Sequence, residues 1–363
     1  MTKVPVNAIA VAHAAVGVVA LAIALVIAGG AYTAPLPGLP DAGPVVVWGA
    51  PILRYATDLA ALATIGWLLA AAFLDPSGKD GIVSRLGRRD LGRAAIASIV
   101  WAILAILQML WVVADVLGVP LAKALDPAIL TTYLMDIPTS RALFVMSALA
   151  IVVAGACIAS STTGAAAAWL LVALVAIALP TLTGHGAALG DHSLALAAGL
   201  THVVAVMLWV GGLFALAVNA VRSDVPMRRS VERFSSIAVV AFICIAVSGV
   251  ANAYTRLERF DELWTTGYGL VTLGKVTVLI TLGLIAWIMR RRVIQGWGER
   301  SRAGIFARIA ALELTIMVIA IGMGVALASS PPPRLTVPFD TLGESLLGFA
   351  FPPAPTLAAD RKS

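Results

Sequence analysis

Residues 194–221 read LALAAGLTHVVAVMLWVGGLFALAVNAV, a run without a single acidic residue, lysine or arginine. A helix needs about 20 apolar residues to cross the hydrocarbon of a bilayer, and this run exceeds that. Similar runs recur at 8–30, 52–74, 94–118, 141–161, 165–183, 235–256, 270–289 and 309–328. The sequence therefore predicts an all-α fold, a polytopic transmembrane helical bundle of about nine spans. The whole-chain composition agrees: 60% of the 363 residues are hydrophobic and 12% are charged, with a mean hydropathy of +0.98. A soluble protein carries about twice that charge fraction. The first run is too long for a signal-peptide core of about 7–15 residues and lacks a strongly basic start, so it reads as a retained anchor.

The net charge of +6 does not indicate nucleic acid as a partner. The basic residues sit in short segments between the spans, where they orient helices against the lipid bilayer. Lys3, then Lys79 to Arg93, Arg222 to Arg233 and Arg290 to Arg308 fall on one side and hold 16 of the 25 lysines and arginines. The positive-inside pattern places the N-terminus inside and the C-terminus outside, in the cytoplasmic (inner) membrane. The expected organisation is an N-terminal four-span region over 1–165, a five-span region over 166–330, and an irregular extracytoplasmic tail over 331–363. Cys157 and Cys244 lie inside apolar runs without a Cys-x-x-Cys partner, so they read as small buried residues. There is no phosphate-binding glycine loop, which argues against ATP-driven pumping by this chain, and no Ser-His-acid or His-Glu-x-x-His arrangement, which argues against a hydrolytic enzyme.

Three of the four histidines, His185, His192 and His202, crowd into eighteen residues near the outer ends of spans five and six. Imidazole is a common ligand for transition metals, and three neutral imidazoles suit copper. The spacing matches no standard zinc motif, and from spacing alone the same residues read first as interfacial histidines hydrogen-bonded to loop carbonyls. His192 and His202 are ten positions apart, roughly 15 Å along an unbroken helix. A break near Gly199 would shorten that distance and let His185 and His202 converge. Asp191 stands beside His192 as a carboxylate partner, and Met207 reads as packing, being on another helix face from His202.

Other polar residues in the outer half are Asp58, Asp115, Asn252, Arg256 and Lys275. Asn252 and Arg256 share a helix face. Lys275 would repel a cation in transit unless Asp58 or Asp115 neutralises it. In the inner half, His13 and Glu313 are expected to pair, or to relay a proton or ion. The small-residue pairs Gly211-Gly212 and Ser248-Gly249 read as points of close helix approach.

The stretch Thr183-Gly184-His185, Asp191-His192, His202 to Leu213, with Arg233-Phe234-Ser235, Ser248 to Ala253, Tyr268-Gly269 and Lys275, resembles the copper-resistance D (CopD) family. The resemblance covers roughly 180–290. It implies copper handling: import across the inner membrane, or delivery toward copper enzymes. In the import reading a copper ion is received outside at His185, His192 and His202 and passes through the bundle. It also leaves room for a non-transporting scaffold that docks an extracytoplasmic copper chaperone or an oxidase subunit through the loop Arg256 to Tyr268, which carries Trp264. A third reading is a haem-binding electron carrier, with His185 and His202 as axial ligands. The tail Leu346 to Leu357 resembles the junction to a cytochrome oxidase assembly-type membrane domain.

Overall fold

The computed structural model describes residues 6–33, 40–76, 80–183, 192–222, 228–289 and 301–333. The described residues form a helical bundle. In chain order it runs α1 (Val6–Ile27), α2 (Pro44–Leu69) extended by a π-helical turn (Ala70–Leu74), α3 (Arg85–Leu117), then α4 (Leu121–Ala124) and α5 (Pro127–Tyr133), both short. Then come α6 (Pro138–Ala159), α7 (Thr163–Ala178) with a 3₁₀ turn (Leu179–Thr183), α8 (His192–Arg222) and α9 (Arg228–Arg256). The short α10 (Glu262–Thr265), α11 (Gly267–Met289) and α12 (Ser301–Ala328) complete it. Among the described residues, nine helices are long and apolar enough to span a membrane, as the apolar runs predict.

Local sequence sets the helix ends. The Ser84 side chain accepts the Gly87 N–H and caps the start of α3, and Gly118, at φ 61°, closes it in the left-handed conformation that glycine adopts without strain. Thr162 caps α7 in the same way. Proline occupies the first turn of α2 and α6, where its missing N–H costs no helical bond. One antiparallel bridge, Ile82 to Thr162, ties the α2–α3 connection to the α6–α7 connection.

With no hydrophobic drive between helices in lipid, close packing and interhelical hydrogen bonds hold the bundle. Ser98 Oγ on α3 donates to the Ala150 carbonyl on α6, and Ser147 Oγ on α6 donates to Ala102 on α3, a reciprocal pair. The α2 and α8 helices form the buried centre; α1 packs along α12, and α9 flanks α8. Where α2 meets α8 their backbones touch: a Cβ placed on Gly211 would lie 2.7 Å from the Leu62 carbonyl oxygen. That bears out the close approach expected of Gly211-Gly212. The same expectation fails at Ser248-Gly249, because nothing lies within 4 Å of a Cβ on Gly249. There α9 exposes a face of Val240, Val247 and Val250, and α11 one of Ile280 and Leu284, as lipid-facing helices do.

Candidate functional site

α8 carries the central candidate. It is an unbroken helix from His192, so no break at Gly199 shortens the distance and His202 lies about three turns from the helix start. Gly199 serves another purpose: its missing side chain admits Thr181 of the preceding 3₁₀ turn, whose Cγ2 would sit 2.9 Å from a Cβ there. His185 and Asp191 lie outside the described residues, as does the side chain of His192. Among the described residues no group of three or more His, Cys, Asp or Glu forms a metal cage.

His202 is half-buried, and its Nδ1 stands 3.0 Å from Ser248 Oγ on α9. Ser248 Oγ also lies 3.2 Å from the Ile245 carbonyl, which can only accept. A serine hydroxyl has one proton to give. With that proton on Ile245, Ser248 Oγ accepts from His202 Nδ1–H, and Nε2 keeps its lone pair. An imidazole oriented through one nitrogen and unprotonated at the other is the form that binds metals. The sequence reading took Ser248 for packing; only the rotation of α9 against α8 shows it to be the partner of His202.

Around this pair the outer-half polar residues divide. Asn252 Nδ2 donates to the Ser248 carbonyl one turn back, and Arg256 Nη1 donates to Tyr268 Oη on α11. Lys275 on α11 reaches toward Gly324 on α12, with Nζ 3.2 Å from where a Cβ would stand. The charge of Lys275 acts on His202, and that of Arg256 on Lys275. Neither aspartate neutralises Lys275: among the described residues no ion pair joins it to Asp58 or Asp115. Asp58 is half-buried on α2, one turn beyond Arg54, while Asp115 is exposed at the end of α3, a helix packed on α2 and α6. The region around His202 is therefore cationic. Met207 is buried in the apolar core, as its helix face predicts.

His13, from α1, and Glu313 come to neighbouring positions along α12. His13 Nε2 donates to the Ala311 carbonyl at 3.0 Å, two residues before Glu313. Glu313 is 6% exposed, and its Oε1 has no hydrogen-bond partner among the described residues.

At the end of the bundle remote from His202 lies a cluster that the sequence reading missed. Asp90 on α3 accepts from Arg93 Nη1 at 2.7 Å and from Asn219 Nδ2 of α8 at 2.6 Å. Arg93 Nη1 also donates to Asn219 Oδ1, and its guanidinium lies 4.8 Å over the Trp67 ring of α2. Asp75, just past the π turn, is buried beside them. An asparagine inside the otherwise apolar run 194–221 was the available signal, and the nearby basic residues hid the aspartates in what reads as a loop.

Comparison with known proteins places the chain in a family. Residues 228–327 match the copper resistance protein D family, and residues 40–194 match the copper resistance protein D-like, N-terminal domain. The copper transport protein CutJ of Bacillus subtilis (strain 168) is 29% identical over 118 residues, a stretch covering 30% of this chain and 22% of that protein. The chain thus matches about a fifth of the length of this curated relative. No solved structure matches. With both matched segments falling on its membrane-spanning helices, the chain belongs to the copper resistance protein D family as a multi-pass membrane protein.

Proposed function

We propose that this chain moves copper across the cytoplasmic membrane, most simply by import, with His202 as the ligand at the outer entrance of the helical bundle. The observation that carries the reading is the His202–Ser248 bond, which holds the imidazole across α8 and α9; with the Ser248 proton given to Ile245, Nε2 is the nitrogen left to bind metal. The name of CutJ, a copper transport protein, supports copper as the cargo. The approach of Thr181 to Gly199 supports His185 as a second ligand, because it brings the chain just ahead of His185 within one turn of His202. His192 stands roughly 15 Å further along α8, so it serves as an earlier contact rather than a member of the same site. The N-terminus is inside and the C-terminus outside, as the basic residues direct.

The cationic surroundings of His202 set a condition on this reading. Lys275 and Arg256 oppose a bare copper ion, so copper arrives coordinated by imidazole or by an anionic carrier, not as a free cation. Copper analysis of the purified full chain, wild type beside the His185→Ala/His202→Ala double variant, tests the ligand assignment. Loss of bound copper and of copper uptake into vesicles is expected. Unchanged copper content in the variant refutes it.

One observation favours docking as a second role. Phe260 and Trp264 form an edge-to-face pair with ring centroids 5.3 Å apart, and both are exposed beside Arg259 and Asp261. A copper chaperone or oxidase subunit on the outer side would find there an aromatic anchor with a charged rim. Co-purification with such a partner, lost in Trp264→Ala, is the expected result. Haem ligation by His185 and His202 is decided by one absorption spectrum, since a haem protein shows a Soret band.

A further inference from the structure

The buried joint between α2, α3 and α8 contains a carboxyl that copper passage, as proposed above, does not use. Asp90 is 0% exposed, and its oxygens are satisfied by Arg93 and Asn219. Asp75 is 4% exposed and faces Asp90, yet neither of its oxygens meets a hydrogen-bond donor among the described residues. Among the described residues, Arg93 is the one cation acting on the two carboxyls. The other described side chains packed against them bring no second one. Ser230 Oγ of α9 donates to the Leu74 carbonyl and Arg233 Nη1 to the Phe73 carbonyl, α7 has no ionisable residue, and α8 contributes the neutral Asn219. Two buried carboxylates beside one guanidinium would leave a net negative charge out of water and two bare oxygens, which is costly.

One proton removes the excess charge and gives one of the two bare oxygens a partner. With an O–H on Asp75 donating to Asp90, the pair carries a single negative charge, balanced by Arg93. We propose that Asp75 and Asp90 form a proton-binding site that shares one proton, and that release of this proton loosens the α2–α8 joint so that copper movement is coupled to proton movement. In the release step the Asp75 O–H bond breaks, the proton passes to water at that end of the bundle, and both carboxylates remain charged. Copper itself is a poor occupant, because the donors are hard oxygens and Arg93 repels a cation. Burial, and then the neighbouring Asp90 carboxylate, push Asp75 up to about 8, so the proton is held at neutral pH and released in mild alkali. The coupling rests on the copper-transport reading; the proton site does not.

The test uses the full chain in lipid nanodiscs and in vesicles. Infrared difference spectra follow the carboxylic C=O band during a pH titration of wild type, Asp75→Asn and Asp90→Asn. The expected result is a protonated-acid band at pH 7 that fades with rising pH and is missing in Asp75→Asn. That variant keeps its shape, because the amide N–H can donate to Asp90 as the acid O–H does. A wild type without the band, or a band that persists in both variants, overturns the site. A band displaced by added copper ion alone overturns the proton in favour of metal. In vesicles loaded with copper- and pH-sensitive dyes, wild type moves protons with copper and Asp75→Asn moves copper alone. Wild-type copper flux without proton movement overturns the coupling. Absence of copper flux in wild type refutes transport, and the coupling with it, while the infrared band still decides the site.

Discussion

Gly211→Ala tests whether α2 and α8 pack backbone against backbone. A methyl on Gly211 would stand 2.7 Å from the Leu62 carbonyl oxygen and 3.1 Å from both N and Cα of Gly66. Ordinary contact distances are about 3.5–4 Å between carbons, so α2 and α8 must part by roughly 0.5–1 Å, and a gap of that size forfeits about a quarter to a half of each contact along the seam. The obstruction is backbone on both sides, so no side-chain rotation relieves it. Overpacking of this kind costs about 1–3 kcal/mol. For a chain of this size that corresponds to a thermal midpoint lower by roughly 2–6 °C.

The assay is thermal unfolding of the purified chain in one lipid or detergent, beside Gly249→Ala. Nothing lies within 4 Å of a Cβ on Gly249, so that variant controls for the general effect of replacing a helical glycine. A Gly211→Ala midpoint equal to that of Gly249→Ala would refute backbone contact between α2 and α8.

Three further outcomes follow from the same geometry. The folded Asp75 binds its proton more tightly than the unfolded chain, about 8 against 3.8, so folding takes up a proton between those values. Its contribution is fully present below 3.8, falls as pH rises and is gone above about 8; Asp75→Asn should flatten that slope, and parallel stability curves would contradict it. Ser248→Ala removes the group that orients His202 and should weaken copper binding about 10–100-fold by titration; unchanged affinity would separate Ser248 from the site. Met207→Leu should change stability by less than about 1.5 kcal/mol and leave copper stoichiometry intact; lost copper would make the thioether a ligand.

The spans were legible because lipid imposes length and apolarity on every crossing segment, and runs such as 194–221 meet both demands openly. Gly211 was legible for a related reason: paired small residues in a span have few uses besides close approach. Ser248-Gly249 shows where that reasoning stops. The same composition sits on a helix whose glycine faces open space and whose serine faces His202, and the difference is the rotation of α9, which composition does not encode. Asp75 and Asp90 were hidden by their neighbours. Arg85, Arg88 and Arg89 mark the segment as a water-facing connection, whereas the π turn at Ala70–Leu74 and the capped start of α3 fold both acids inward.

α8 links these features mechanically. It carries His202 near one end and Asn219 near the other, seventeen residues or roughly 25 Å apart along a helix without a break. Between them Gly211 presses on Gly66, and there the helix has no side chain to compress. A helix held at its middle against backbone and free to repack at its ends pivots more readily than it slides. In the coupling proposed above, loss of the proton leaves two carboxylates facing each other beside Asn219, and α8 is the element that would carry the resulting shift toward the Ser248 bond of His202. The proposed copper ligand at one end of α8 and the proposed proton site at the other would then be joined by a single helix. Lengthening that element should break the tie before it breaks the fold. One alanine inserted after Ala205, above the pivot, turns His202 by about 100° away from Ser248 and leaves the Asn219–Asp90 bond in register. Copper binding should then be lost while the pH dependence set by Asp75 survives, and loss of both together would refute the pivot.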